Sequence, residues 1–308
     1  MNHIGIGQKL ISKVEDVTPV VLRAMAGGSD RRLRDLVTSL VSHLHQFVIE
    51  TKPTEAEFEY GLRWIAALGH HTNDFNNEVV LAADVLGIST LIDLINNDGM
   101  QGETMSALLG PFYRGESPLC ASGDCIARSA TPGPALHFSG RVVDVDGTPI
   151  EGAALDVWQA SPVGLYENQD ETQEDFNLRG RFRTDAEGRF HFVSVKPAGY
   201  PVPTDGPVGD LLRAQKRMPM RPAHIHFIVS APGHKTLITQ IFADSHEALV
   251  GDVVFGAKQQ IVGDFVRHDA TDPAYPGAEP PFYTCHYEFR LVEGVSSMPV
   301  PPISGKKG

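Results

Sequence analysis

Apolar residues in the first hundred positions recur every three or four places. In residues 31–48 they fall at Leu33, Leu36, Val37, Leu40, Val41, Leu44, Phe47 and Val48, the spacing of an amphipathic helix. A second helix is expected in "KPTEAEFEYGLRWIAALG" (52–69), where Thr54 and Glu57 fit a capping box and Phe58, Leu62 and Ile65 form the stripe. A third runs through "NNEVVLAADVLGISTLIDLINN" (76–97), with Val80, Leu81, Asp84, Ile88, Leu91, Ile92 and Ile95 on one stripe. The pattern changes near residue 130. "LHFSGRVVDVDGTPI" (136–150) alternates apolar and polar positions and carries Asp146-Gly147, a tight-turn signal. "AALDVWQA", "GRFHFVSV", "HIHFIVSA", "TLITQIFA" and "YTCHYEFRLV" continue as strands between Gly/Pro-rich connections. The pattern predicts an α+β protein: a helical region and linker over 1–130, an antiparallel β-sandwich over 131–295, and a disordered tail over 296–308. The N-terminal helices have apolar faces to bury, over the sandwich or against a second copy, and a homodimer through them is expected.

Composition narrows the partners. Of 308 residues 42% are hydrophobic and 21% charged, and no apolar run approaches the ~20 residues of a membrane span. The formal charge of -12 disfavours nucleic acid or an anionic membrane as a main partner. The first twenty residues hold neither a continuous apolar core nor a small-residue cleavage site, so a cytoplasmic protein is expected. Cys120, Cys125 and Cys285 form no C-x-x-C pair; they suit a reducing compartment as free thiols and make no zinc framework.

The stretch "RPAHIHFIVSAPGH" (221–234) places two histidines one residue apart in a run that otherwise reads as a buried strand. Side chains alternate in a strand, so His224 and His226 share a face while Ile225, Phe227 and Val229 take the other. Two imidazoles side by side either bind something together or lie at an exposed edge. No H-E-x-x-H helix accompanies them, and the first acidic residue beyond them is Asp244. His43 and His45, at i and i+2 on a helix, do not face each other. Tyr166 and Tyr200 stand in Gly/Pro-flanked loops just past strand patterns, where a side chain is either surface or aimed at one end of a sandwich.

"GPFYR" (110–114), "DVWQASPVGLYENQD" (156–170), "FNLRGRFRTDAEGRFHF" (176–192), "KPAGYPVPTDGPVGDLL" (196–212) and "RPAHIHFIVSAPGHKTLITQIF" (221–242) together resemble the intradiol ring-cleaving dioxygenases. The resemblance covers about residues 30–292. It implies one non-haem Fe(III) per subunit, bound by Tyr166, Tyr200, His224 and His226. Phenolate is a hard anionic donor suited to Fe(III). The family pattern makes Tyr200 the ligand that leaves as base when substrate binds, points Arg221 at the substrate, and places Gln240 at another polar active-site position. No G-x-G-x-x-G fingerprint follows a strand, and no nicotinamide or flavin is called for.

Asp84 bears on which branch of that family the chain resembles without deciding it, since chlorocatechol-cleaving members also carry an aspartate at that position. Among apolar neighbours it is either a helix aspartate tilted to solvent or paired with arginine, or a pocket residue that accepts a hydrogen bond from an extra ring hydroxyl. The long N-terminal part, Asp84, "LLGPFYR" and "GDVVFGAKQQIVGDFVRH" are most similar to the branch that cleaves hydroxyquinol (benzene-1,2,4-triol) with O2 to 3-hydroxy-cis,cis-muconate, the enol of maleylacetate. By that similarity Leu81, Asp84, Leu108, Gly110, Pro111, Phe112, Val202, Pro203 and Val254 line the substrate pocket. Catechol or chlorocatechol cleavage is the alternative. A non-catalytic sandwich module leaves the two tyrosines and the H-x-H unexplained, and a zinc hydrolase lacks a third ligand.

Overall fold

The computed structural model describes residues 10–97, 99 and 101–307. It divides into two compact units between Trp64 and Ile65, well before the change of pattern near residue 130. The first unit holds α1 (Val14–Met25), α2 (Arg31–Thr51) and the start of α3 (Glu55–His71). Asp30 caps α2 by accepting the Leu33 N–H at 3.0 Å, and Lys52, at φ 47°, ends it in the left-handed region. The capping box of α3 forms as expected: Glu57 accepts from the Thr54 N–H at 2.8 Å and the Thr54 hydroxyl accepts from the Glu57 N–H at 3.3 Å. Leu33, Leu36, Leu40, Leu44 and Phe47 of α2 are all exposed. No helix among the described residues is long and apolar enough to cross a membrane.

In the second unit the expected third helix is two helices, α4 (Glu78–Val85) and α5 (Ile88–Asn96). Gly87 separates them at φ 74°, a conformation that breaks the helix and that glycine adopts without strain. The single stripe is thereby divided. Leu81 and Asp84 on α4 are buried, whereas Ile88, Leu91, Ile92 and Ile95 on α5 are exposed.

The sandwich follows. One sheet runs β4 (Arg189–Val195), β1 (Ala135–Asp144), β10 (Phe282–Leu291), β9 (Val266–His268). The facing sheet runs β3 (Arg179–Arg183), β2 (Ala154–Trp158), β7 (His224–Ser230), β8 (Leu237–Phe242). A ribbon of β5 (Tyr200–Pro201) and β6 (Met220–Arg221) stands apart, and α6 (Pro207–Ala214) and α7 (His246–Val250) lie in the connections. Phe138 of β1 meets Phe227 of β7 at 5.1 Å between ring centroids, and Phe182 of β3 meets Phe192 of β4 at 5.3 Å. These rings lock the sheets face to face. Pairing is antiparallel except between β1 and β10, which run parallel with Phe138 opposite Cys285. A parallel pair needs a long connection, and here most of the sandwich lies between the two strands.

The expected disordered tail is instead fastened down. Ile303 is buried. Ser304 and Gly305 donate their N–H groups to Asp74 O at 3.0 and 2.8 Å, and Lys307 N–H donates to Asn168 O at 2.9 Å. The segment satisfies its backbone against neighbouring loops rather than in a helix or strand, so no periodicity announces it.

Candidate active site

On β7 the alternation works as the sequence demands. Ile225, Phe227 and Val229 join the core between the sheets. His224 and His226 occupy the other face of the same sheet, yet both are buried. The Trp158 ring, cross-strand from His226, lies nearly parallel to its imidazole at 4.6 Å and 10°. The two histidines are therefore not at an open edge.

Two loops bring the tyrosines over them. After β2 the chain turns at Gly164, whose φ is 89° and whose missing Cβ would lie 3.3 Å from Tyr200 Cβ; the turn sets Tyr166 beside Tyr200. Tyr200 is fixed from the other side by β5–β6 pairing, directly opposite Arg221. Tyr166 Oη lies 2.9 Å from Tyr200 Oη and 3.0 Å from His226 Nε2, and His226 Nε2 lies 3.1 Å from His224 Nε2. Four donors from three segments converge in a chain of contacts.

Burial sets their charge states. It pushes both phenols up, Tyr166 furthest because the Tyr200 oxygen adds to the effect, while Arg221 pulls against the rise at both. Burial, then the Arg221 charge, pushes His224 well below its ordinary range, and burial, then His224 and Arg221, does the same to His226. His224 Nδ1 lies 2.7 Å from Pro222 O, so Nδ1 carries the proton and Nε2 presents a lone pair to the cluster. Two neutral imidazoles and two phenols that shed protons only to a cation make a donor set for a hard metal ion. Their spacing fits as well: two ligands about 2.0–2.1 Å from one ion and subtending roughly a right angle stand about 3 Å apart.

Beside this cluster Arg221 Nη1 approaches His224 Nε2 at 3.1 Å. Gln240 accepts from Arg221 Nη2 at 2.8 Å and donates to Leu108 O at 2.6 Å, so its amide is used within the protein. Asp252, which the sequence reading passed over inside "GDVVFGAKQQ", pairs with Arg221 Nε at 3.1 Å. Behind Tyr166, Glu167 accepts from Arg179 Nε at 2.6 Å and from Arg114 Nη1 at 2.5 Å, and Arg179 Nη2 reaches Phe112 O at 2.9 Å. This buried network joins the Tyr166 loop to the "GPFYR" segment. β3, which carries Arg179, was also not foreseen, because "RGRFR" shows no apolar alternation.

A narrow cavity touches the cluster, lined by Leu81, Asp84, Gly110, Pro111, Phe112, Val202 and Val254 together with Tyr166, Tyr200, Arg221 and His226. Leu108 and Pro203 are not among the lining residues. Leu108 faces a larger cavity of about 820 Å³ that shares Asp84 and Gly110 with the narrow one. Val202 continues the β5–β6 pairing through its N–H to Pro219 O, and the next residue of an extended run faces away. Asp84 is buried rather than tilted to solvent. Its carboxyl is pushed up to about 6, first by burial, with a Ser89 hydrogen bond and the Arg221 charge opposing.

A β-sandwich closes two loop tyrosines over an H-x-H strand, a buried phenol–imidazole cluster that could hold a hard metal ion, with Arg221 beside it. Residues 108–292 match the family model described as "Dioxygenase", and residues 30–104 match "Catechol dioxygenase N terminus". The chain is 40% identical to the 6-chlorohydroxyquinol 1,2-dioxygenase of Cupriavidus pinatubonensis, over 84% of this chain and 93% of that one. It is 39% identical to the catechol 1,2-dioxygenase of Candida albicans, over 83% and 85%. Its fold superposes on the crystal structure of hydroxyquinol 1,2-dioxygenase from Pseudomonas putida with a TM-score of 0.82 at 36% identity, covering 91% of this chain and 99% of that one. The chain belongs to the intradiol ring-cleavage dioxygenase family.

Proposed function

We propose that this enzyme uses O2 to cleave hydroxyquinol between its adjacent hydroxylated carbons, yielding 3-hydroxy-cis,cis-muconate, with one Fe(III) per subunit held by Tyr166, Tyr200, His224 and His226. The observation that carries the reading is the convergence of those four buried donors at 2.9–3.1 Å. Bound there, ferric iron supplies Lewis acidity toward the ring oxygens and withdraws electron density from the ring. Two phenolates offset most of a trivalent charge in a site closed to water.

The chain's own residues divide the remaining work. Tyr200, nearest the Arg221 charge in the ribbon, accepts a proton from an incoming ring hydroxyl; Tyr166, held between Tyr200 and His226, keeps its place. Arg221 presents positive charge where the ring oxygens carry negative charge. Leu81, Phe112, Val202 and Val254 exclude water around the ring. Asp84 accepts a hydrogen bond from the third hydroxyl, which catechol lacks, and a buried carboxylate left without that partner disfavours catechol. Relatives named for hydroxyquinol chemistry support this choice; the catechol-named relative of nearly equal identity supports catechol as the second reading. The exposed apolar face of α2 supports a homodimer, and three free cysteines suit the cytoplasm.

The test is the visible spectrum of iron-loaded protein, before and after anaerobic hydroxyquinol, followed by admission of O2. A tyrosinate charge-transfer band that shifts to longer wavelength and then gives ring-opened product is expected. A colourless iron-loaded protein would sink the ligand assignment.

A further inference from the structure

Arg221 is 4% exposed, and a buried guanidinium needs partners for five N–H donors. Nε donates to Asp252 Oδ1 at 3.1 Å, and Nη2 donates to Gln240 Oε1 at 2.8 Å and Asp252 Oδ2 at 3.3 Å. Nη1 is left as the edge beside the donor cluster, 3.1 Å from His224 Nε2. Asp252, 3% exposed, is saturated in turn. Its Oδ2 also accepts from the backbone N–H groups of Gly256 at 3.0 Å and Ala257 at 3.1 Å, and Oδ1 from Val254 at 3.4 Å. Phe255 N–H closes the same turn onto Asp252 O at 3.0 Å, and Val253 N–H reaches Met220 O, next to Arg221, at 3.1 Å. One carboxylate thus ties the cation of the site to the turn whose Val254 forms part of the cavity wall.

We propose that Asp252 is a positioning residue that acts through Arg221: it holds the guanidinium with Nη1 toward the substrate and fixes Val254 in the same motif. Gln240 is the second holder. A carboxylate is required because its two oxygens match the Nε–Nη2 fork of the guanidinium. Without it, Nε and one Nη2 hydrogen lose their carboxylate acceptor, and Gln240 alone is left to orient the guanidinium. The proposal rests on the ring-cleavage reading above.

A kinetic double-mutant cycle tests it on iron-loaded protein with hydroxyquinol: wild type, Asp252→Asn, Arg221→Gln and the double variant. Asp252→Asn is expected to lower kcat about 100-fold, the scale of losing one aligned transition-state donor. KM should change less than about threefold, and the resting visible band should stay, because the four ligands are untouched. In the double variant kcat/KM should equal that of Arg221→Gln within about twofold, since no guanidinium is left for residue 252 to position and the amide oxygen introduced by Asp252→Asn still accepts from the N–H groups of the turn. A double variant roughly 100-fold below Arg221→Gln overturns the proposal, as does wild-type turnover in Asp252→Asn. If Asp252→Asn does not fold, because it leaves a buried cation unpaired, the comparison of Arg221→Gln with the double variant decides alone. Wild-type protein that leaves the ring intact removes the ring-cleavage reading and this proposal together; a cleaving wild type with an additive cycle removes only the proposal.

Discussion

Asp84 sits buried on α4 with its carboxyl pushed up to about 6, against an unfolded value near 3.9. Between those values the native state binds the proton more tightly, so the stability from this group is fullest below the unfolded value and is lost as pH rises toward about 6. Asp84→Asn should therefore raise the Tm of metal-free protein at pH 7, by the equivalent of about 2–3 kcal/mol, with the gain vanishing near pH 4. Thermal melts across that range check this, and a pH-independent gain would contradict a buried carboxyl. The same side chain bears on selectivity. Asp84→Ala should cut kcat/KM for hydroxyquinol at least about tenfold more than for catechol; equal losses would make Asp84 structural.

Two elements departed from their sequence patterns for reasons that bear on the site. The break at Gly87 leaves α4 short, and its buried Leu81 and Asp84 reach the narrow cavity. The tail, polar and Pro/Gly-rich, became a strap. Besides its bonds to Asp74 and Asn168, Pro302 O accepts from the side chain of Asn77, the cap of α4. It thereby joins the start of α4 to the loop that carries Tyr166. A chain ending at residue 295 loses the burial of Ile303, about 1.5–3 kcal/mol, and should melt about 4–8 °C lower. Its kcat for ring cleavage should fall as well, because the Tyr166 loop loses an anchor. Calorimetry and oxygen uptake on the truncated chain measure both, and an unchanged Tm would mean that the strap bears no load.

For the whole molecule, the helical unit carries its own apolar surface. Leu40 and Leu44 of α2 are 58% and 52% exposed, on a face too apolar for a lone chain in water. Replacing both with Asp should convert the proposed homodimer to a monomer in sedimentation velocity, while the visible band of iron-loaded protein persists, since all four proposed ligands lie in the second unit. A wild type that sediments as a monomer would remove the dimer from the proposed function.

Much of this was legible from short-range pattern. Three-to-four spacing and alternation marked α2, α3, β1, β2, β4, β7, β8 and β10, because one buried face imposes its period on neighbouring residues. The pleat alone put His224 and His226 on one side. Period could not reveal β3, whose inward Phe182 stands between arginines that donate to backbone carbonyls of distant segments, nor the parallel β1–β10 pairing, nor the strap. Motif resemblance pointed to Tyr166, Tyr200, Arg221 and Gln240, but not to what holds them. Asp252 had no pattern of its own, being one acidic residue in an irregular turn. Its place against Arg221 arises only when β6 and the turn after α7 are folded side by side. Alternation and periodicity act over a few residues, whereas a buried ion pair or a four-donor centre depends on contacts between segments far apart in the chain, and these exist only once the sheets have packed.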